Sequence, residues 1–137
     1  MKLSTRSRYG TRMMLDLAQY DDGGPVHIGD ISKRQGISLK YLEQLIIPLK
    51  KSGYIRSVRG PKGGHMLAKP PGDITIGEIV RILEGGISLS DCIENPDVCD
   101  RSDTCVTRDI WEVATAAMCD KLDSITLSDL LNKGKGT

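Results

Sequence analysis

The stretch Ile31-Ser32-Lys33-Arg34-Gln35-Gly36-Ile37-Ser38-Leu39-Lys40-Tyr41-Leu42 narrows the possible folds more than any other part of the chain. Ile28 and Ile31 face inward from a short helix over residues 29–35, and Gly36 stops it with the backbone freedom a tight turn needs. Ser38 is then placed to cap a second helix starting at Leu39. Leu39, Leu42, Leu45 and Ile46 form the expected buried stripe, leaving Ser38, Lys40, Tyr41, Glu43 and Gln44 outward. Pro48 lacks an amide hydrogen and crowds the preceding turn, so a kink or restart is expected there. Lys50 and Lys51 finish the helix as cations beside the negative end of its dipole. Helix, glycine turn, helix is the helix-turn-helix pattern.

The segment downstream of Lys51 reinforces that pattern. Tyr54-Ile55-Arg56-Ser57-Val58 alternates and is rich in strand formers, Arg59-Gly60-Pro61-Lys62-Gly63-Gly64 reads as a turn, and His65-Met66-Leu67-Ala68 as a second strand. Two strands around a basic, glycine-rich tip make a wing. The tip is not a phosphate-binding loop: it lacks the glycine spacing and the Lys-Ser/Thr ending, and it precedes a strand instead of a helix. Upstream, Tyr9, Met13, Met14, Leu17 and Ala18 mark a helix over residues 4–20, capped from Ser4 or Thr5 and ended by Asp21-Asp22-Gly23-Gly24-Pro25. Val26 and Ile28 form either a very short strand or a staple into the next helix. Thr75 caps a helix over residues 76–84, which Gly85-Gly86 ends.

Charge separates the two halves. The net charge is only +1, yet residues 1–70 hold thirteen Lys/Arg against five Asp/Glu, while residues 71–137 hold six against thirteen. A front half at +8 beside a back half at −7 suits a polyanion-binding unit joined to a part with another task. A helix from the front half can enter the major groove, where Gln pairs with adenine and Glu accepts from cytosine. Arg59 on the wing suits a narrow minor groove, and Lys62 suits phosphate.

Residues 87–103 show no sustained period. From Thr104 a helical period returns, with Val106, Ile110, Val113 and Ala117 on one line and Trp111, Ala114, Met118 and Leu122 on another. So wide an apolar surface exceeds what one neighbour in the chain hides, which favours packing between subunits. A short helix over residues 124–131 and a frayed polar tail over 132–137 are expected.

Cys92, Cys99 and Cys105 are spaced C-x6-C-x5-C, neither interval matching the short pairs of zinc ribbons and fingers. In a turn-rich loop such intervals suit something larger than one ion, and iron–sulfur clusters are held chiefly by Cys thiolates. A reversible disulfide among the same thiols is the alternative, a cluster-free redox switch. Cys119 lies about 21 Å beyond Cys105 if the helix is unbroken, at about 1.5 Å per residue, and is read as a small packing residue. His27 and His65 are read as structural or solvent-facing.

The opening Lys2-Leu3-Ser4-Thr5, the segment Ile37-Ser38-Leu39-Lys40-Tyr41-Leu42-Glu43-Gln44, the wing Val58-Arg59-Gly60-Pro61-Lys62-Gly63-Gly64, the three cysteines, and Cys105-Val106-Thr107-Arg108-Asp109-Ile110-Trp111 together resemble the IscR-like bacterial iron–sulfur winged-helix regulators, which include CymR-type and NsrR-type repressors. The resemblance spans residues 1–125. It implies a homodimer with crossing long helices on a palindromic double-stranded DNA operator. It also implies a 2Fe–2S or 4Fe–4S cluster, the former preferred, on Cys92, Cys99 and Cys105. By the matching motif, Ser38, Lys40, Tyr41, Glu43 and Gln44 face the bases and Arg59 enters the minor groove. Two positions depart from the pattern: Arg108 stands where some members carry a ligating His, and Arg8 where others carry an acidic ligand from the partner. The fourth ligand is open among Asp91, Asp103, Ser102, Asp16 and water.

The expected fold is mainly α with a small β-wing: a winged helix-turn-helix over residues 1–84, a cysteine loop over 85–104, and a dimerisation helix with tail over 105–137. No nucleophile–base set, catalytic carboxylate pair or dinucleotide loop points to an enzyme. No apolar run approaches the ~18 residues of a membrane span and no leader is evident, so a cytoplasmic transcription regulator is expected.

Overall fold

The computed structural model describes residues 3–87 and 106–135. Its order is α1 (Thr5–Gln19), α2 (Ile28–Gln35), α3 (Leu39–Lys51), β1 (Ile55–Val58), β2 (Gly64–Leu67), α4 (Ile76–Glu84), α5 (Val106–Asp123) and α6 (Leu127–Lys135), with single 3-10 turns at Asp21–Gly23 and Pro71–Asp73. The strands form one antiparallel hairpin, pairing Ile55 with Leu67 and Val58 with Gly64. This is the mainly helical, winged architecture expected from the sequence.

One aliphatic core joins the first seventy residues to the last helix. Met13, Met14 and Leu17 of α1 meet Ile31, Leu42, Leu45 and Leu49 of the helix pair, Ile79 and Leu83 of α4, and Leu127 of α6. Phe is absent from the chain, so unbranched Met and branched aliphatics do the filling. The helix ends follow local chemistry. Ser4 accepts from Ser7 N, Ser38 from Tyr41 N and Thr75 from Glu78 N, each a side-chain oxygen meeting an amide left over at a helix start. Gly36 closes α2 in the left-handed region, at φ 65°.

Several local expectations are corrected. Leu39 is not in the buried stripe: it is 44% exposed, because the first residue after the cap lies beside Lys40 and Glu43 instead of over the core. Leu42, Leu45, Ile46 and Leu49 form the buried line. The helix does not restart at Pro48 but runs unbroken to Lys51. The proline ring deprives only the Gln44 carbonyl of its usual partner, and Gln44 is exposed to water. The last helix starts at Leu127, later than expected. Thr126 and Asp129 exchange bonds across that start: Thr126 N donates to Asp129 Oδ2 at 3.0 Å and Asp129 N to Thr126 Oγ1 at 3.1 Å. Positions 132–135, expected as frayed tail, continue α6. Val26 does act as a very short strand, exchanging two 2.8 Å backbone bonds with His65.

Two ties outside the core hold α1. Asp16, only 1% exposed, takes Arg34 Nε at 3.0 Å, Arg34 Nη2 at 2.7 Å and Gln35 Nε2 at 3.0 Å. That raises the Arg34 pKa and engages both Asp16 oxygens within its own chain. At the other end Glu84 accepts from Ser4 N at 3.1 Å, Ser4 Oγ, and Ser7 Oγ at 2.5 Å. Bonds from Ser4 and Ser7 hold the Glu84 carboxyl below the usual range.

Candidate nucleic-acid interface

α2, the Gly36 turn and α3 present the second helix of the pair at the surface. Lys40, Glu43, Gln44 and Ile47 are exposed, and their spacing places them along one face. Ser38 is also exposed, with its Oγ engaged as acceptor from Tyr41 N at 3.2 Å, which leaves the hydroxyl proton available. Tyr41 differs from the other four. It is half-buried, and its ring meets Tyr9 of α1 edge-on at 5.8 Å and 85°.

That tyrosine pair leads to residues sequence reasoning passed over. The guanidinium carbons of Arg8 and Arg12 lie 6.0 and 5.4 Å from the Tyr9 ring centre. Arg12 also donates to Gln35 Oε1 at 3.2 Å and to the Gln35 carbonyl, an orphan acceptor at the end of α2. The i, i+4 spacing of Arg8 and Arg12 around Tyr9 was the available signal. Leu39 was passed over because its apolarity argued for the core, and Ile47, 63% exposed, joins it on this face.

The wing follows α3 in the chain and packs against it. Arg56, Arg59 and Lys62 are exposed along and beyond β1, and Lys50 and Lys51 are exposed at the end of α3. Glycine at the tip serves the wing's own backbone. A Cβ on Gly63 would strike the Val58 carbonyl, and one on Gly64 would strike the Val26 carbonyl. Both are therefore needed to close the hairpin and dock it on Val26. His65 is structural: its Nδ1 is 2.9 Å from Ser57 Oγ, and burial, then the nearby Lys50 cation, push its pKa down. His27 faces solvent.

Between α1, α3 and α4 lies a cleft of about 350 Å³ bordered by Arg6, Tyr41, Gln44, Pro48 and Ile82. The long helix α5 offers a different surface. Val106, Ile110 and Val113 are 82, 57 and 70% exposed and Ala117 is open beside them, while Ala114, Met118 and Leu122 are partly covered. Arg81 of α4 grips its last residue, Asp123, with two bonds of 2.6 and 2.7 Å, raising the Arg81 pKa and lowering that of Asp123. Cys119 is partly buried on the same helix. Cys92, Cys99 and Cys105 lie outside the described residues, as do Asp91, Ser102 and Asp103. Among the described residues no helix is long and apolar enough to cross a membrane.

Comparison with known proteins bears on this arrangement. Residues 3–133 match the Rrf2 family model, described as an iron-dependent transcriptional regulator. The chain is 50% identical over 131 residues to protein rrf2 of Nitratidesulfovibrio vulgaris, covering 96% of this chain and 87% of that one. Among solved structures it is similar to T. potens IscR (TM-score 0.81, 42% identity, 98% of this chain and 88% of that one). It is also similar to CymR of B. subtilis, described as the global cysteine regulator (TM-score 0.82, 37% identity, 97% and 98%).

Proposed function

The chain belongs to the Rrf2 family of transcriptional regulators, and from that premise we propose that it is a cytoplasmic homodimeric repressor of a palindromic operator, governed by the state of Cys92, Cys99 and Cys105. Regulation by DNA binding is the family's work, and no enzymatic activity is implied by it. The observation that carries the reading is the exposed polar face of α3 together with the exposed basic residues of the wing that packs against that helix.

In this reading α3 lies in the major groove. Glu43 and Gln44 contact base edges, and Lys40 and Ser38 contact base or phosphate near the positive helix start. Tyr41 keeps its ring on Tyr9 and offers only its hydroxyl. Arg59 enters the minor groove and Lys62 meets phosphate. A second copy packs on the open line of Val106, Ile110, Val113 and Ala117, which fixes the distance between the two reading helices.

Three soft thiolates within fourteen residues suit an iron–sulfur cluster, and Cys92, Cys99 and Cys105 would hold it. A 2Fe–2S form is preferred and the fourth ligand is unassigned. When bound, such a group supplies a redox-active centre that is gained or lost with iron and sulfide supply. The chain's own part is mechanical: α5 begins at Val106, next to Cys105, and ends in the Asp123–Arg81 clamp on α4. A change at the cysteines that shifts α5 therefore bears on α4 and on the dimer seam. The likeness to CymR supports a second reading of the same fold, in which the three thiols switch through a disulfide without a cluster.

The test is anaerobic purification with visible spectra, iron and sulfide content, and DNA affinity measured with and without oxidant. Cys92→Ala, Cys99→Ala and Cys105→Ala each abolish the visible absorbance, whereas Cys119→Ala retains it. Iron-free protein whose DNA affinity follows oxidant instead establishes the disulfide reading. Protein that lacks iron and ignores oxidant defeats both.

A further inference from the structure

The root of the wing is held by side chains that the reading of DNA leaves unused. Tyr54, just before β1, donates its hydroxyl to Glu78 Oε2 on the first turn of α4. Glu78 is itself fixed from its own helix start: Oε1 accepts from Thr75 Oγ1 at 3.2 Å, and Thr75 Oγ1 accepts from Glu78 N at 3.2 Å. The other end of the hairpin arrives at the same tyrosine. Ala68 N donates to the Tyr54 carbonyl at 3.0 Å, and Lys69 Nζ sits 4.1 Å from the ring centre. The bond to Glu78, with burial adding to it, pushes the Tyr54 phenol up to about 12, so it remains a donor throughout the physiological range.

That turn of α4 also anchors the C-terminal part. Ile76 N donates to the Ile125 carbonyl at 2.8 Å, Leu127 N to the Ile74 carbonyl at 3.0 Å, and Thr75 bridges Thr126. One turn on, Arg81 holds Asp123. A line of fixed contacts thus runs from the end of α5 to the base of the wing. Its last link is one side-chain hydrogen bond.

An isolated two-stranded hairpin is marginal. Here β2 pairs with Val26 through His65, and Ile55 and Leu67 enter the core, so the bond from Tyr54 to Glu78 is the side-chain tie at the β1 end. The wing tip stands ~13 Å from its root at ~3.3 Å per residue, so a tilt of roughly 15° displaces it by about 3 Å. We propose that Tyr54 and Glu78 form a strut that sets the angle of the wing against α3, making Tyr54 a positioning residue for Arg59. The proposal rests on Arg59 being a DNA contact.

The experiment uses the full-length chain, purified anaerobically, and a duplex that the wild type selects from a randomised pool. Tyr54→Phe keeps the ring and the Lys69 contact but removes the donor. It weakens binding roughly three- to tenfold in the wild-type background and less than about twofold in the Arg59→Ala background, where no wing contact is left to misplace. Glu78→Gln, whose amide oxygen still accepts, keeps near-normal binding, and Glu78→Ala behaves as Tyr54→Phe. An equal loss in both backgrounds makes Tyr54 merely structural and overturns the strut. So does normal binding by Tyr54→Phe while Arg59→Ala is weakened. If Arg59→Ala itself binds normally, the wing contact and the strut fall together.

Discussion

α3 and α5 are both amphipathic helices of this chain, and they dispose of their apolar faces in opposite ways. Leu42, Leu45, Ile46 and Leu49 of α3 are buried against α1 and α4, and what remains outside is polar or basic with Leu39 and Ile47 between. On α5 the order is reversed, with Val106, Ile110 and Val113 outside and only Thr115 fully covered. A helix that satisfies its apolar side within its own chain is free to offer its other side to a ligand. A helix that leaves that side open needs another surface before it is stable. α3 thus covers its apolar side within the chain, while α5 leaves a line of apolar side chains open.

The comparison breaks most visibly at Leu42. Leu42→Ala removes a side chain with no exposure and leaves a cavity at the junction of α1, α3 and α4, so the unfolding free energy falls by about 2 to 5 kcal/mol. Denaturant melts read this, and the loss of DNA binding follows the loss of fold. Next is Val113→Glu on the open line of α5. Here the N-terminal unit keeps its helical signal, but the particle sediments at the 15.0 kDa of one chain and operator affinity drops roughly hundredfold, as the second reading head no longer contributes. If Val113→Glu unfolds the chain as Leu42→Ala does, the contrast between the two helices is wrong.

The smallest effect is with pH. Glu84, held by Ser4 and Ser7, and Asp123, held by Arg81, both have folded-state pKa values below their ordinary 4.5 and 3.8. Their contribution is present above those values and is lost as pH falls through the depressed ones. His65 is lowered from 6.5 by burial, so it adds a mild loss as pH falls below 6.5, where the unfolded chain takes up the proton more readily. Thermal midpoints are therefore level above pH 7, decline slightly toward pH 5, and fall more steeply below about 4.5. Glu84→Gln flattens part of the last segment.

Much of the reader was legible because each signal was local. Ser38 as cap, Gly36 as turn and the alternation from Tyr54 to Val58 depend on neighbours in sequence, and they locate the elements to within a residue or two. What escaped depends on distant partners. Leu39 has the composition of a core residue but the position of a surface one. Asp16 reads as a free carboxylate until Arg34 and Gln35 fold onto it. Gly63 and Gly64 read simply as turn residues, and only the folded chain shows that the Val58 and Val26 carbonyls need the space beside them. Nothing in the local sequence announces that Tyr54 meets Glu78, because twenty-four positions separate them. On α5 the period was plain, and the described residues leave Val106, Ile110 and Val113 open.

Selection of duplexes from a randomised pool by the wild-type protein tests the central claim most directly, since one measurement reads both sequence recognition and symmetry. Enrichment of inverted half-sites with centres about one helical turn or a whole multiple of it apart, ~10 base pairs, is the predicted result. A pool that emerges without sequence preference, or with single unpaired sites, contradicts the account of two α3 helices held in register by a shared α5 seam.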